Sequence, residues 1–348
     1  AAVFNNGTTT IKNGYYTRSV GQWYTIVNHG TMTIEKAKAD ASIDGTSSLI
    51  ENGYSNYTSK NERAGHVAGT NATNPELTIN DGTFVSSGYN AVKNDDGGIL
   101  NINGGSFTAS RENGAVIQNW HHATITAGEF TAKGESGTIS TGAYNTGVND
   151  GETVISGGTF TAEKNAVFAK GEGGNARGKL TVENGTFIGG LSSELMKSAY
   201  DTTLKGGSYT DKPDAGFVDA DHVMIKYTKG QDGRYYVGAE DEIQAIADKA
   251  EAGDKIDVIA GEIDLKVNTP GVIIANTGGK VTVNGAGLDK GASTTIPEVK
   301  DPTKPSQDQT KPSDGTKTDS SANTGDDFNM IAAGAAALAA IIVMAAVA

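Results

Sequence analysis

The chain contains no cysteine in 348 residues. That excludes a disulfide scaffold, a thiol nucleophile and a cysteine metal site together. Cations are scarce: 28 Lys and Arg stand against 41 Asp and Glu, a formal charge of −13. A nucleic-acid backbone or an anionic lipid surface would repel such a protein overall, so no nucleic-acid partner is expected. Histidine is sparse and scattered, with five in all. His121 and His122 are adjacent. On a strand they would point to opposite faces, and "NWHH" matches no usual zinc spacing. No metal or cofactor is expected. The chain opens "AAVFNNG", without methionine or a basic-then-apolar leader, as a processed product or an excerpt would.

What the chain has instead is glycine, 47 residues of it, and a repeat. Ile79-Asn80-Asp81-Gly82-Thr83-Phe84 recurs as Ile102 to Phe107, Ile125 to Phe130, Ile155 to Phe160, Val182 to Phe187 and Leu204 to Tyr209, with an earlier copy from Ile11 to Tyr16. An aliphatic residue lies five positions before each aromatic, and a glycine two before it. From Phe84 onward successive aromatics are 23, 23, 30, 27 and 22 residues apart. A unit of this size signals a solenoid. A phosphate loop would occur once and lead into a helix. A second register, ending in asparagine, runs through Val3-Phe4-Asn5, Ile26-Val27-Asn28, Ile50-Glu51-Asn52, Val92-Lys93-Asn94 and Ile117-Gln118-Asn119. Two or three short strands per unit describe one coil of a stack, with coils about 4.8 Å apart. The aliphatic residues and the aromatics would then form interior columns. The asparagines would form a hydrogen-bonded ladder, and glycine would supply positive φ at the corners. The span from Lys36 to Pro75 fits worst: it has no glycine–aromatic pair in register, as an inserted loop would explain.

These columns and spacings resemble the right-handed parallel β-helix, or pectin-lyase-like, fold over roughly residues 1 to 238. The resemblance implies an all-β, single-stranded right-handed solenoid. Residues 239–291 break the repeat. Ile243, Ile246, Ala247 and Ala250 share a helical face with acids in its first turn, and two strand-like stretches follow. This reads as a small helix-plus-strand C-terminal cap or a separate module. Residues 292–325 hold four of the seven prolines and almost no apolar side chain, as a disordered linker would. Residues 326–348 end in an uncharged apolar run, Met330 to Ala348, long enough to cross a bilayer as a transmembrane helix. The order spacer, threonine–glycine, apolar run resembles the sorting signal of Gram-positive cell-wall-anchored surface proteins. That resemblance implies cleavage between Thr324 and Gly325 by a sortase, with cell-wall peptidoglycan as acceptor and an extracellular, surface-anchored protein. No leucine–proline pair precedes Thr324 and no basic residue follows the apolar run, both departures from the family pattern.

β-Helix relatives include polysaccharide lyases and glycoside hydrolases, which need converging acids and a proton acceptor. Asp95-Asp96 is the best local acidic pair, and it reads as a surface carboxylate pair in a turn. Trp23, Tyr24 and Trp120 are the candidate sugar-stacking aromatics, with Trp120 expected at a solvent-facing corner; the alternative is that all three pack on neighbouring turns. The expected function is adhesion or surface display toward glycans or host proteins. A surface lyase or hydrolase is the first rival, and a structural stalk for a further N-terminal domain is the second.

Overall fold

The computed structural model describes residues 1–18, 24–41, 48–53, 74–110, 114–134, 137–143, 151–169 and 176–298. The chain divides into two units, Ala1–Val299 and Lys300–Ala348. The second lies outside the described residues, and with it Thr324, Gly325 and the apolar run 330–348. Among the described residues no helix is long and apolar enough to cross a membrane.

The first unit is all-β and mostly parallel. The first six repeats each contribute one strand to each of three sheets in turn, and the last two contribute to the second and third only. The asparagine sheet begins with Val3–Asn5 and continues through Ile26–Asn28, Ile50–Asn52, Val92–Asn94, Ala115–Asn119 and Gly137–Ala143, all paired in parallel. The isoleucine sheet runs from Thr8–Ile11 through Thr31–Ile34, Glu76–Ile79, Ile99–Ile102, His122–Ile125, Glu152–Ile155 and Ala176–Val182 to Tyr200–Leu204. The phenylalanine sheet runs from Tyr15–Tyr16 through Lys38–Ala41, Thr83–Ser86, Ser106–Ala109, Glu129–Ala132, Thr159–Ala166 and Thr186–Gly190 to Gly207–Tyr209. Strand side chains alternate between faces, so one face of each sheet fills the core. In Glu76–Ile79, Leu77 and Ile79 are buried; in Ser106–Ala109, Phe107 and Ala109 are.

Two interior columns hold the repeats in register. Phe84, Phe107, Phe130, Phe160, Phe187 and Tyr209 are all fully buried. Their ring centroids are 4.6 to 5.0 Å apart and their planes within 5 to 10° of parallel. Strand pairing sets this separation, which leaves no room for an edge-to-face arrangement. The glycine two residues before each ring has positive φ, from 102° at Gly105 to 140° at Gly185. At Gly128 a Cβ would also lie 3.1 Å from the Phe130 ring, so turn and ring exclude any other residue together.

The second column is the amide ladder. Asn5 Nδ2 donates to Asn28 Oδ1, Asn28 to Asn52, Asn52 to Asn94 and Asn94 to Asn119, each at 2.7 Å. Each amide also donates to a backbone carbonyl of the adjoining isoleucine-sheet strand, such as Asn52 to Ile99 at 3.0 Å. The ladder therefore ties the asparagine sheet to the isoleucine sheet at the bend between them. Threonines terminate it at both ends: Thr9 Oγ1 donates to Asn5 Oδ1 at 2.8 Å, and Asn119 donates to Thr153 Oγ1 at 2.9 Å.

The span that fits the repeat worst in sequence keeps it in space. Ala39 pairs in register with Tyr16 on one side and Phe84 on the other. Ile50–Asn52 takes its place in the asparagine sheet. The remainder of that span, 42–47 and 54–73, where an inserted loop is expected, lies outside the described residues.

Beyond Tyr209 the phenylalanine sheet continues, antiparallel. Gly207–Tyr209 pairs with Asp232–Gly238, which forms a hairpin with Val223–Lys229. The two faces of this hairpin enter different cores. Met224 and Val237 pack with the repeat interior, whereas Val223 and Ile225 pack in a second cluster with Ile243, Ile256, Val258 and Ile274. A short helix, α1 (Ser193–Ala199), precedes Tyr200 and buries Met196. A second, α2 (Glu240–Ala247), buries Ile243 and Ala247, as its spacing predicts. Glu242 Oε2 accepts from the Ala239 N–H at 3.0 Å, and the acids of the first turn suit the positive end of the helix dipole.

Asp254 anchors the loop after α2. It accepts from Tyr227 Oη at 2.5 Å and from the Glu251 N–H at 2.9 Å. Burial pushes the Asp254 carboxyl up, but the Tyr227 hydroxyl and the Glu251 amide outweigh it, so its pKa falls below the ordinary 3.8. A depressed folded value means the contribution is complete above the unfolded pKa and is lost as pH falls below it. Asp254→Asn is therefore expected to lower stability at pH 7 and to flatten the loss of stability between about pH 4 and pH 2, read by urea unfolding across that range.

Candidate functional site

In the Ile-x-Asn strands the flanking residues face the core, so the middle residue faces out. This outer column runs Phe4, Val27, Glu51, Lys93, Gln118, Ser140 in register. It changes character along its length. Phe4 is 61% exposed, while Glu51 and Gln118 are 4% and 3% exposed. Charged and amide side chains on the outward face of this sheet are thus out of water.

Lys93 is the centre of the group. Its Nζ lies 2.9 Å from Asp95 Oδ2 and 4.3 Å above the Trp120 ring. Burial works to lower the Lys93 pKa, but the nearby Asp95, Tyr24 and Glu51 outweigh it and raise it above the ordinary lysine value. The neighbouring carboxylates thus favour the charged ammonium over the neutral amine.

Two expectations are corrected here. Asp95 and Asp96 do lie in a turn, closed by the Gly98 N–H to Asp95 carbonyl bond at 2.9 Å, but not on the surface: they are 0% and 1% exposed. Trp120 does not face solvent: it is 3% exposed, with a lysine ammonium over its ring. Tyr24 is 7% exposed, and Trp23 lies outside the described residues. The described aromatics of the trio therefore present almost no ring surface to a sugar. Local sequence signalled Asp95, Asp96, Tyr24 and Trp120 but neither Lys93 at the centre of the cluster nor the burial, since exposure on an outer face depends on what packs over it.

His121 sits in the bend before the strand His122–Ile125, so the pair does not splay; the ring centroids are 4.1 Å apart. His122 Nδ1 lies 3.6 Å from Glu152, which also binds Lys179 at 2.7 Å. The Lys179 bond holds the Glu152 carboxyl below its ordinary range. Among the described residues no group of three or more His, Asp or Glu converges to hold a metal ion.

The outer face of the phenylalanine sheet is different again. Thr108, Thr131 and Thr161 stand in register and half-exposed, beside Ser106, Glu129 and Thr159 on the same face. It is a strip of hydroxyls repeating at strand spacing, about 4.8 Å, with Glu129 as the one charge among these six. Comparison with protein-family models, with curated proteins and with solved structures finds no match for this chain.

Proposed function

We propose that this chain is a bacterial cell-surface protein of the adhesin or display type. Its three sheets close into a single-chain, right-handed parallel β-helix. The expected linker starts later than 292, because Ser293–Thr295 pairs with Ile273–Ala275 and Ile296 is buried. The spacer from 300 to 325 holds the body away from the surface, and the segment 326–348 anchors it, with sortase processing between Thr324 and Gly325 joining it to peptidoglycan. The observation that supports this reading most is how fully the interior is used. Six stacked rings and the amide ladder occupy it, so function falls to the long outer faces. Outward hydroxyls such as Thr108, Thr131 and Thr161 repeat along one of them. Each makes a weak contact, and a repeated ligand engages many at once.

A glycan and matrix-protein array probed with the intact chain tests this. Retention on a defined set of glycans or proteins is expected, weakened at least threefold when Thr108, Thr131 and Thr161 are changed together to lysine. No retention anywhere on the array would remove the adhesin reading. A polysaccharide lyase or hydrolase stays second, on the carboxylates Glu51 and Asp95 that lie near Lys93. Unsaturated-product absorbance or reducing-end release on pectins, mucins and glucans would put it first.

A further inference from the structure

An asparagine followed by glycine can modify itself, because glycine carries no side chain to shield its backbone nitrogen. Once that nitrogen loses its proton it can attack the asparagine side chain. Among the described residues the pair occurs six times, at Asn6, Asn13, Asn52, Asn103, Asn184 and Asn284. The fold treats the six differently, and at four of them it opposes the attack. The Gly7 N–H donates to Asn5 Oδ1 at 3.1 Å and the Gly53 N–H to the Asn28 carbonyl at 3.2 Å, so both nitrogens are turned away from the preceding side chain. The Asn103 amide is held from both ends, by Asn80 Oδ1 at 2.9 Å and Thr126 Oγ1 at 3.1 Å. The Asn284 amide is held by the Val267 N–H at 3.0 Å and the Val267 carbonyl at 2.7 Å.

Asn13 and Asn184 are the other two. Each stands at the corner that leads into the phenylalanine sheet, and both side chains are exposed. The Gly14 N–H donates to Asn13 Oδ1 at 2.8 Å, and the Gly185 N–H to Asn184 Oδ1 at 2.7 Å. The direction of an N–H is that of the lone pair left after deprotonation, so each nucleophile already points at the carboxamide it must attack. Asp81 shows what the product would meet. It holds the same corner before Phe84, and its Oδ1 accepts from the Gly82 N–H at 2.8 Å. An aspartate at 13 or 184 therefore keeps the bond that asparagine makes there.

We propose that Asn13 and Asn184 are self-deamidating sites, at which the following glycine nitrogen closes a five-membered succinimide ring. At Asn184 the bond from Gly185 N to Cγ forms and the Cγ–Nδ2 bond breaks. Ammonia leaves, carrying Nδ2 and the proton given up by the glycine nitrogen. Water then opens the ring. Hydrolysis at Cγ gives aspartate, which the corner accepts as it does Asp81. Hydrolysis at the main-chain carbonyl gives isoaspartate, which routes the backbone through Cγ and lengthens it by one carbon. The corner is tight, since a Cβ on Gly185 would lie 3.0 Å from the Phe187 ring, so the longer backbone displaces it. Each event adds one negative charge to a chain already at −13. The inference rests on the corner geometry, not on the surface role proposed above.

The test incubates the intact chain at pH 8.5 and 37 °C, folded or in guanidinium chloride, and follows each pair by peptide mass mapping. Unfolded, all six should react at similar rates, because only the local sequence acts. Folded, Asn13 and Asn184 should keep at least a third of that rate, while the other four slow at least tenfold. Asp81→Asn builds the same corner in another repeat and should deamidate at the rate of Asn184. Asn184→Asp should melt with the parent, whereas chains isolated with isoaspartate at 184 should melt earlier. Protection of Asn13 and Asn184 equal to that of Asn52 would overturn the proposal, by showing that the stack holds the glycine nitrogens out of line. Folded Asn103 or Asn284 reacting as fast as Asn184 would also overturn it, by showing that sequence rather than corner geometry sets the rate.

Discussion

Asn52→Asp is expected to cost at least about 3 kcal/mol at pH 7, although it changes no volume. Asn52 is fully buried at the middle of the ladder. Its amide donates to Asn94 Oδ1 at 2.7 Å and to the Ile99 carbonyl at 3.0 Å. A carboxylate has no proton for either, so two acceptors would face a buried anion. Protonation relieves the charge, so the folded-state pKa of the new carboxyl should be raised above its unfolded value of about 3.9. The folded state then binds a proton that the unfolded chain does not between those values, and the deficit relative to the parent should shrink as pH falls from 7 to 5. Urea unfolding at both pH values reads this. A deficit under 1 kcal/mol, or one independent of pH, would mean that the ladder bonds contribute little. Asn52→Ala should cost a comparable amount without the pH dependence, since it orphans the same acceptors and opens a cavity.

Phe130→Ala is expected to destabilise by about 3–5 kcal/mol, the range for a fully buried aromatic truncated in a core. Phe130 lies 5.0 Å from Phe107 and 4.6 Å from Phe160, so one substitution removes two ring contacts at once. Stacked repeats depend on nearest-neighbour coupling, so the loss should appear in cooperativity as well as in midpoint. The urea transition is expected to broaden, or to split into segments on either side of the gap. Phe130→Leu keeps most of the volume and should cost markedly less. A sharp, parent-like transition for Phe130→Ala would contradict a stack held by its ring column.

The ring column and the amide ladder were legible in the chain because parallel stacking turns a sequence repeat into a spatial one. A ring every 22 to 30 residues has nowhere to go but onto the previous ring. The same logic failed at Ala39, which holds a ring position with a methyl group's worth of side chain and so carries no signal. It also failed for α1, whose seven residues give too little periodicity to separate from a turn.

The outer faces were the least legible part. Lys93 and Asp95 are ordinary surface residues by type, and the local spacing of these two and Trp120 is that of a strand and a turn. Their burial and the raised pKa of Lys93 arise because residues from separate repeats, Tyr24 and Glu51 among them, meet there. The change of face at the 223–238 hairpin is of the same kind. Val223, Met224 and Ile225 are one apolar run in sequence, and only the packing of two cores assigns Met224 to one and its neighbours to the other.

By itself the sequence determined what each repeat does along the stack: which residue faces inward, where glycine turns the chain, and which amide meets which. Those are properties of short segments, set by strand alternation and φ, and each repeat states them again. Tertiary structure alone decided which outward residues stay in water and which carboxylates and rings surround Lys93. Those depend on contacts between segments far apart in the chain, and no local pattern encodes them.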